Sequence, residues 1–177
     1  MTTSMLILCL QQTMIKIRKT TFDDLDRVME IYDVARAFMA KSGNPTQWGD
    51  GYPVRSLIEE DIKRGESYVM TQSGEIHGVF MFMQRVEPTY AKIEGAWLND
   101  LTYGTIHRVA TDGKVKGMFD SCVEFCRTVT ENLRVDTHKD NIPMQKAIKR
   151  NGFAYCGVIY MLHDGSPRIA FQMPQSK

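Results

Sequence analysis

An apolar strand that runs into a glycine- and lysine-bearing loop and straight on into an amphipathic helix is written into residues 106–119, Ile106-His107-Arg108-Val109-Ala110-Thr111-Asp112-Gly113-Lys114-Val115-Lys116-Gly117-Met118-Phe119. The first backbone N–H groups of a helix have no partner within it, and the helix dipole adds partial positive charge there. Such a loop is an anion cradle suited to a phosphate or pyrophosphate. A strand feeding it points to a nucleotide-like cofactor. The helix after the cradle carries Val115, Met118, Phe119, Cys122, Cys126 and Val129 on one stripe, the spacing of a core-facing face.

The rest of the chain divides into alternating elements. Ile15 and Ile17 alternate with Lys16 and Arg18 in a first strand, and Thr20 or Thr21 then caps a helix from about Phe22 to Ala40. Its stripe is Leu25, Val28, Met29, Tyr32, Ala35 and Met39. The turn-forming segment Asn44 to Pro53 precedes a second helix with Val54, Leu57, Ile58 and Ile62 inward, ending near Gly65. Strands at Ser67 to Thr71 and Glu75 to Gln84 flank a Ser73-Gly74 turn. The second of these is apolar on both faces and is expected to be central. An irregular part, Pro88 to Tyr103, leads to the strand Thr105 to Ala110. After the cradle helix come a strand at Leu133 to Thr137, a helix from about Asn141 to Arg150, and strands at Phe153 to Met161 and Arg168 to Met173. The order is β-α-α-β-β-β-α-β-α-β-β.

Bulk properties exclude several classes. With 177 residues and 43% hydrophobic content the chain can bury one sizeable core. A formal net charge of +1 provides no overall basic field to hold nucleic acid or an anionic membrane. The apolar stretch Met5 to Leu10 is far too short for a membrane span and lacks the basic flank of a signal peptide. Residues 1–13 are therefore expected to be a disordered tail, or an upstream start choice, and residues 14–177 a single domain. Cys9, Cys122, Cys126 and Cys156 lack the paired short spacings of a zinc site and the density of a disulfide scaffold. No metal is expected, and the cysteine usage points to a reducing, cytoplasmic compartment.

At this level the chain resembles the GNAT superfamily of N-acetyltransferases. The acetyl-CoA loop of that family reads Arg/Gln-x-x-Gly-x-Gly/Ala, and Lys114-Val115-Lys116-Gly117-Met118-Phe119 matches it in register, with Lys114 at the first position and Phe119 at the last. Asp140-Asn141 opening a helix that ends in Asn151-Gly152-Phe153 is similar to the Asn-to-Gly-Phe segment of the family. The resemblance runs from about Met14 to Met173. It implies an α/β (α+β) fold with a mixed, splayed, largely antiparallel sheet of about seven strands flanked by about four helices.

The resemblance also implies acetyl-CoA as co-substrate, a small-molecule or peptide amine as acceptor, and direct attack within a ternary complex. The amides of Val115, Gly117, Met118 and Phe119 would face the pyrophosphate, with Lys114 and Lys116 adding charge. Main-chain groups of Val109, Ala110 and Thr111 would bond the pantetheine arm, and Asn141 either helps hold the arm or only caps its helix. A homodimer is common among relatives. Two positions depart from the family: Ile148 stands where a thiolate-protonating Tyr is usual, and Gly104 where a Glu is usual. His107, Tyr103 and Asp100, with His138 as a further choice, are the remaining acid–base candidates. The segment Asn44 to Pro53, the first two helices and Glu94 to Tyr103 would form the acceptor walls, with Trp48, Tyr52 and Trp97 as wall residues. The missing Tyr and Glu motivate a rival reading, a catalytically silent acyl-CoA-binding or sensing domain, and a third reading is a general phosphate-binding interaction module.

Overall fold

The computed structural model describes residues 14–174; the expected tail at 1–13, with Cys9, lies outside them. Strand β1 (Lys16–Lys19) ends at a capping turn. The Asp24 carboxylate accepts from Thr21 N at 2.8 Å and from Thr21 Oγ1 at 2.9 Å, while Arg18 donates to both of its oxygens at 2.6 and 2.8 Å. Thr21, not Thr20, is the cap. The chain passes through a short 3₁₀ turn at Phe22–Asp24 before helix α1 (Leu25–Lys41), so the α-helix starts later than the expected Phe22. Next come α2 (Arg55–Lys63), β2 (Ser67–Gln72), β3 (Glu75–Met83), β4 (Glu94–Gly95) and β5 (Gly104–Thr111). The chain closes with α3 (Met118–Arg127), β6 (Leu133–Thr137), α4 (Ile142–Arg150), β7 (Ala154–Tyr160) and β8 (Pro167–Gln172).

All strands join one sheet in the order β1-β2-β3-β5-β6-β8-β7-β4, and only the β5–β6 contact is parallel. Strand β3 is central as expected, with Val79 to Met83 buried continuously. One face of the sheet packs Val69, Val79 and Ala110 against Leu25, Val28, Ile31 and Ile58 of α1 and α2. The other packs Phe80, Phe82, Ile106 and Val135 against Cys122, Cys126 and Ile148 of α3 and α4. Each such large side chain contributes roughly 1.5–3 kcal/mol by leaving water. Cys122 and Cys126 are thus small core residues.

The sheet has eight strands, one more than expected. The extra one is the two-residue β4, which sits inside the segment read as irregular and pairs with β7 through Glu94↔Val158 and Gly95↔Gly157. Gly95 and Gly157 both have positive φ, and a Cβ on either would collide with the facing backbone, so glycine opposite glycine lets the chains approach. A second correction concerns the cradle helix. Gly117 adopts a left-handed conformation (φ 78°, ψ 9°) as its N-cap, so α3 begins at Met118 and Val115 lies in the loop. At the other end Thr128 N and Oγ1 both donate to Phe125 O, and Val129 is exposed beyond it.

The feature that positions the site is a gap between β5 and β6. Their pairing covers only Gly104↔Leu133 to Ile106↔Val135. Beyond Ile106, β5 keeps β3 on one side, while β6 turns toward β8. A bulge accompanies the divergence, with Arg108 at φ 51° and a register shift against β3. From His107 to Thr111 the edge of β5 that faces β6 has no strand partner.

Candidate active site

The loop from β5 to α3 is set by Asp112. Its carboxylate accepts from Lys114 N at 3.1 Å and Arg27 Nη2 at 2.6 Å, and pairs with His77 Nδ1 at 2.9 Å. Burial pushes this carboxyl up, but the His77 hydrogen bond, the Lys114 amide and the neighbouring charges outweigh it and hold it below its ordinary value. The loop so anchored leaves the backbone N–H groups of Val115, Lys116, Gly117, Met118 and Phe119 without a hydrogen-bond partner among the described residues; the first amide of this turn to find one is Ser121 N, on Gly117 O. Unpaired amides in sequence at a helix N-terminus form a concave anion site. A Cβ on Gly117 would meet nothing within 4 Å, so the space beside it is open.

Of these residues Val115, Gly117, Met118 and Phe119 line a cleft of about 640 Å³. Its walls come from Val34, Ala35, Phe38 and Met39 of α1, from 46–49 and Tyr52, from the free edge of β5, and from Val135, Asp136 and Thr137 of β6. Asn141 at the cap of α4, and Met144 and Ala147 within it, line it too. Thr137 Oγ1 is buried there without a partner. Asn141 both caps α4, accepting from Met144 N at 3.2 Å, and donates to Gln47 Oε1 at 2.9 Å, which ties the 46–52 segment to the cleft.

A smaller cavity of about 210 Å³ adjoins the cleft, and Tyr52, His107, Arg108, Asp136 and Met161 line both. At this junction His107 Nε2 lies 3.1 Å from Glu87 Oε2, and Nδ1 lies 3.6 Å from Asp136 Oδ1. Tyr90 Oη donates to the same Asp136 oxygen at 2.7 Å. Burial pushes the Glu87 carboxyl up, yet the His107 hydrogen bond and charge, with the Thr89 amide, hold it at about 2. Burial and the adjacent Asp136 push the Tyr90 hydroxyl well up. Ionised Glu87 only accepts, so His107 Nε2 carries the proton of this contact, and in the neutral form of the ring Nδ1 is left as the acceptor.

Of the sequence candidates, His107, Val109, Ala110, Thr111, Val115, Gly117, Met118, Phe119 and Asn141 are brought together around the cleft. Lys114 and Lys116 are exposed and do not line it. Tyr103 lines neither cavity: its ring lies against the Arg134 guanidinium at 3.9 Å and its hydroxyl accepts from Glu87 N at 3.1 Å. Trp97 packs on the other side of Arg134 at 4.0 Å, so the stretch Glu94 to Tyr103 is not a wall of either cavity. Asp100 is exposed away from both, and His138 Nδ1 is taken by Asp140 N at 3.2 Å. Gly104 is held by packing, since a Cβ there would press on the Phe82 ring and Thr130. Ile148 is fully buried in the core. Sequence reading missed Glu87, Asp136 and Arg108, whose partners are distant in sequence; the acidic residue just past β3, beside a His on the neighbouring strand, was the available signal.

An opened mixed sheet with an amide cradle at its mouth defines a GNAT-type acyltransferase fold. A GNAT-family acetyltransferase structure from Streptococcus agalactiae is 31% identical, covers 92% of this chain and 96% of its own, and superposes with a TM-score of 0.80. A structure from Staphylococcus aureus assigned to the acetyltransferases is 22% identical over 88% of this chain and 96% of its own, with a TM-score of 0.65. A Salmonella typhimurium protein solved with its cofactor acetyl-CoA shares the fold at 12% identity and a TM-score of 0.60, over 92% of this chain and 95% of its own. No family sequence model and no curated protein sequence matches the chain. The chain belongs to the GNAT family of acetyltransferases. Among the described residues no helix is long and apolar enough to cross a membrane.

Proposed function

We propose that this chain is an acetyl-CoA-dependent N-acetyltransferase that passes acetyl to a primary amine by direct attack in a ternary complex. The observation that carries the reading is the run of unpartnered amides from Val115 to Phe119, whose residues other than Lys116 line the cleft. Val115, Lys116, Gly117, Met118 and Phe119 would hold the pyrophosphate, with Lys114 and Lys116 contributing field from the surface. Main-chain groups of Val109, Ala110 and Thr111 would take the pantetheine arm, for which their free edge has the donors and acceptors. Asn141 borders the same path. Bound acetyl-CoA supplies an activated thioester.

The chain's own groups then manage protons. An ammonium at the junction is held by Asp136 and loses its proton to His107 Nδ1, while Glu87 fixes the ring through Nε2. The free amine forms the N–C bond as the C–S bond breaks. Tyr52, whose hydroxyl accepts from Arg108 Nη1 at 3.4 Å and which lines the same junction, would give its proton to the departing thiolate and regain the second proton that the nitrogen sheds as the amide forms. Tyr103 supports Glu87 rather than the chemistry. The three free, buried thiols of Cys122, Cys126 and Cys156 fit a reducing cytoplasm.

A second reading, a silent acyl-CoA sensor, draws on the packing that fills positions 104 and 148. Calorimetry with acetyl-CoA and CoA-release assays over an amine panel test both. Binding with turnover supports the transferase; binding with no CoA released by any amine supports the sensor; no binding defeats both.

A further inference from the structure

We infer that the acceptor is a small α-amino acid, an amine with a carboxylate one carbon away, and that Arg108 reads that carboxylate. This rests on the acetyltransferase reading above. In a regular strand neighbouring side chains point to opposite faces. Here the left-handed backbone at Arg108 (φ 51°) breaks the alternation, and His107 and Arg108 border the same pair of cavities. A proton acceptor and a guanidinium on adjacent residues match an amino and a carboxylate group on adjacent atoms of one small molecule.

The charges of the smaller cavity agree with this. Arg108 Nη2 donates to Asp61 Oδ2 at 2.5 Å, Arg64 Nη2 to Asp61 Oδ1 at 2.9 Å, Arg64 Nε to Glu66 Oε2 at 3.1 Å, and Arg85 Nε to Glu66 Oε1 at 3.0 Å. Three guanidiniums are thus strung on two carboxylates, with Glu60 standing 3.8 Å from Arg64 and half exposed to solvent. Arg108 has a donor to spare in Nη1, which has only the long contact to Tyr52, while Nε is buried without a partner. At the same cavity Glu87 and Asp136 flank His107. A zwitterion places its ammonium at the carboxylates and its carboxylate at Arg108, whereas an uncharged amide in that place forgoes the charge-assisted pair. Leu57, Met81, Met83 and Met161 supply an adaptable apolar wall for a side chain, in a space smaller than the roughly 300–1,000 Å³ of drug-sized pockets.

The test compares each standard α-amino acid with its own primary amide and its decarboxylated amine, using the unmodified protein, acetyl-CoA and CoA release. The expected result is a kcat/KM for the preferred acid about 10- to 100-fold above its amide and amine. In Arg108→Gln that preference falls toward unity while acetyl-CoA affinity by calorimetry is kept. Arg85→Gln, at a half-exposed site, reduces the preference with less risk to folding. Equal turnover of acid and amide overturns the inference and leaves the acetyltransferase reading standing. Turnover only of lysine side chains or peptide N-termini overturns it as well, as does acetyl-CoA binding with no acid consumed. Failure to bind acetyl-CoA defeats the transferase reading itself.

Discussion

His107 Nε2 stands 3.1 Å from Glu87 Oε2, across a separation of 20 residues that joins the turn after β3 to the middle of β5. This bond orients the ring at the place where the two cavities meet. His107→Ala is expected to lower kcat roughly 100- to 10,000-fold, the usual span for a lost general base. Glu87→Gln should cost about tenfold, as removal of an orienting carboxylate does. Acetyl-CoA affinity, measured by calorimetry, should stay unchanged in both.

The depressed Glu87 carboxyl also makes a statement about acid stability. Its folded value of about 2 lies below the ordinary 4.5, so its contribution is fully present above that ordinary value and is lost as pH falls toward the folded one. Urea midpoints of the parent should exceed those of Glu87→Gln at about pH 6, and the gap should close on acidification toward about pH 2. A gap that widens with acid would contradict the assignment.

Asp112 holds the cradle through Arg27, His77 and Lys114 N without itself being one of its donors. Asp112→Asn should therefore raise KM for acetyl-CoA several-fold and leave kcat near the parent value. The split distinguishes loop positioning from general loss of stability, which would lower active enzyme and leave KM alone.

Restoring the usual family acid at position 104 should harm the protein rather than help it. Gly104→Glu drives a side chain into Phe82 and Thr130, and overpacking of this kind costs about 1–3 kcal/mol. A thermal melt should show the loss, with no gain in kcat.

Most of the element order was legible because hydrophobic period and turn residues are local: the strand Leu133–Thr137 and the central, doubly covered β3 are as expected. The turn from loop into helix was legible for the same reason, since Gly117 and the stripe from Met118 to Cys126 lie within a few residues of each other. What was not legible depends on distant contacts. A two-residue β4 carries too little pattern to register, and its glycine pairing with Gly157 is set from the far side of the chain. Tyr103 and Trp97 look like pocket walls until Arg134 is found between them. Glu87, Asp136, Asp61 and Arg108 acquire meaning only when β3, β5, β6 and α2 come together. Thr21 rather than Thr20 as cap was decided by Asp24 and Arg18.

Amide resonances of an isotope-labelled sample, followed as CoA is titrated in, address the cradle itself. The amides of Val115, Lys116, Gly117, Met118 and Phe119 should shift together and become protected from solvent exchange, and Gly117→Val should abolish both effects. Saturable CoA binding that leaves those five amides unmoved would contradict the account.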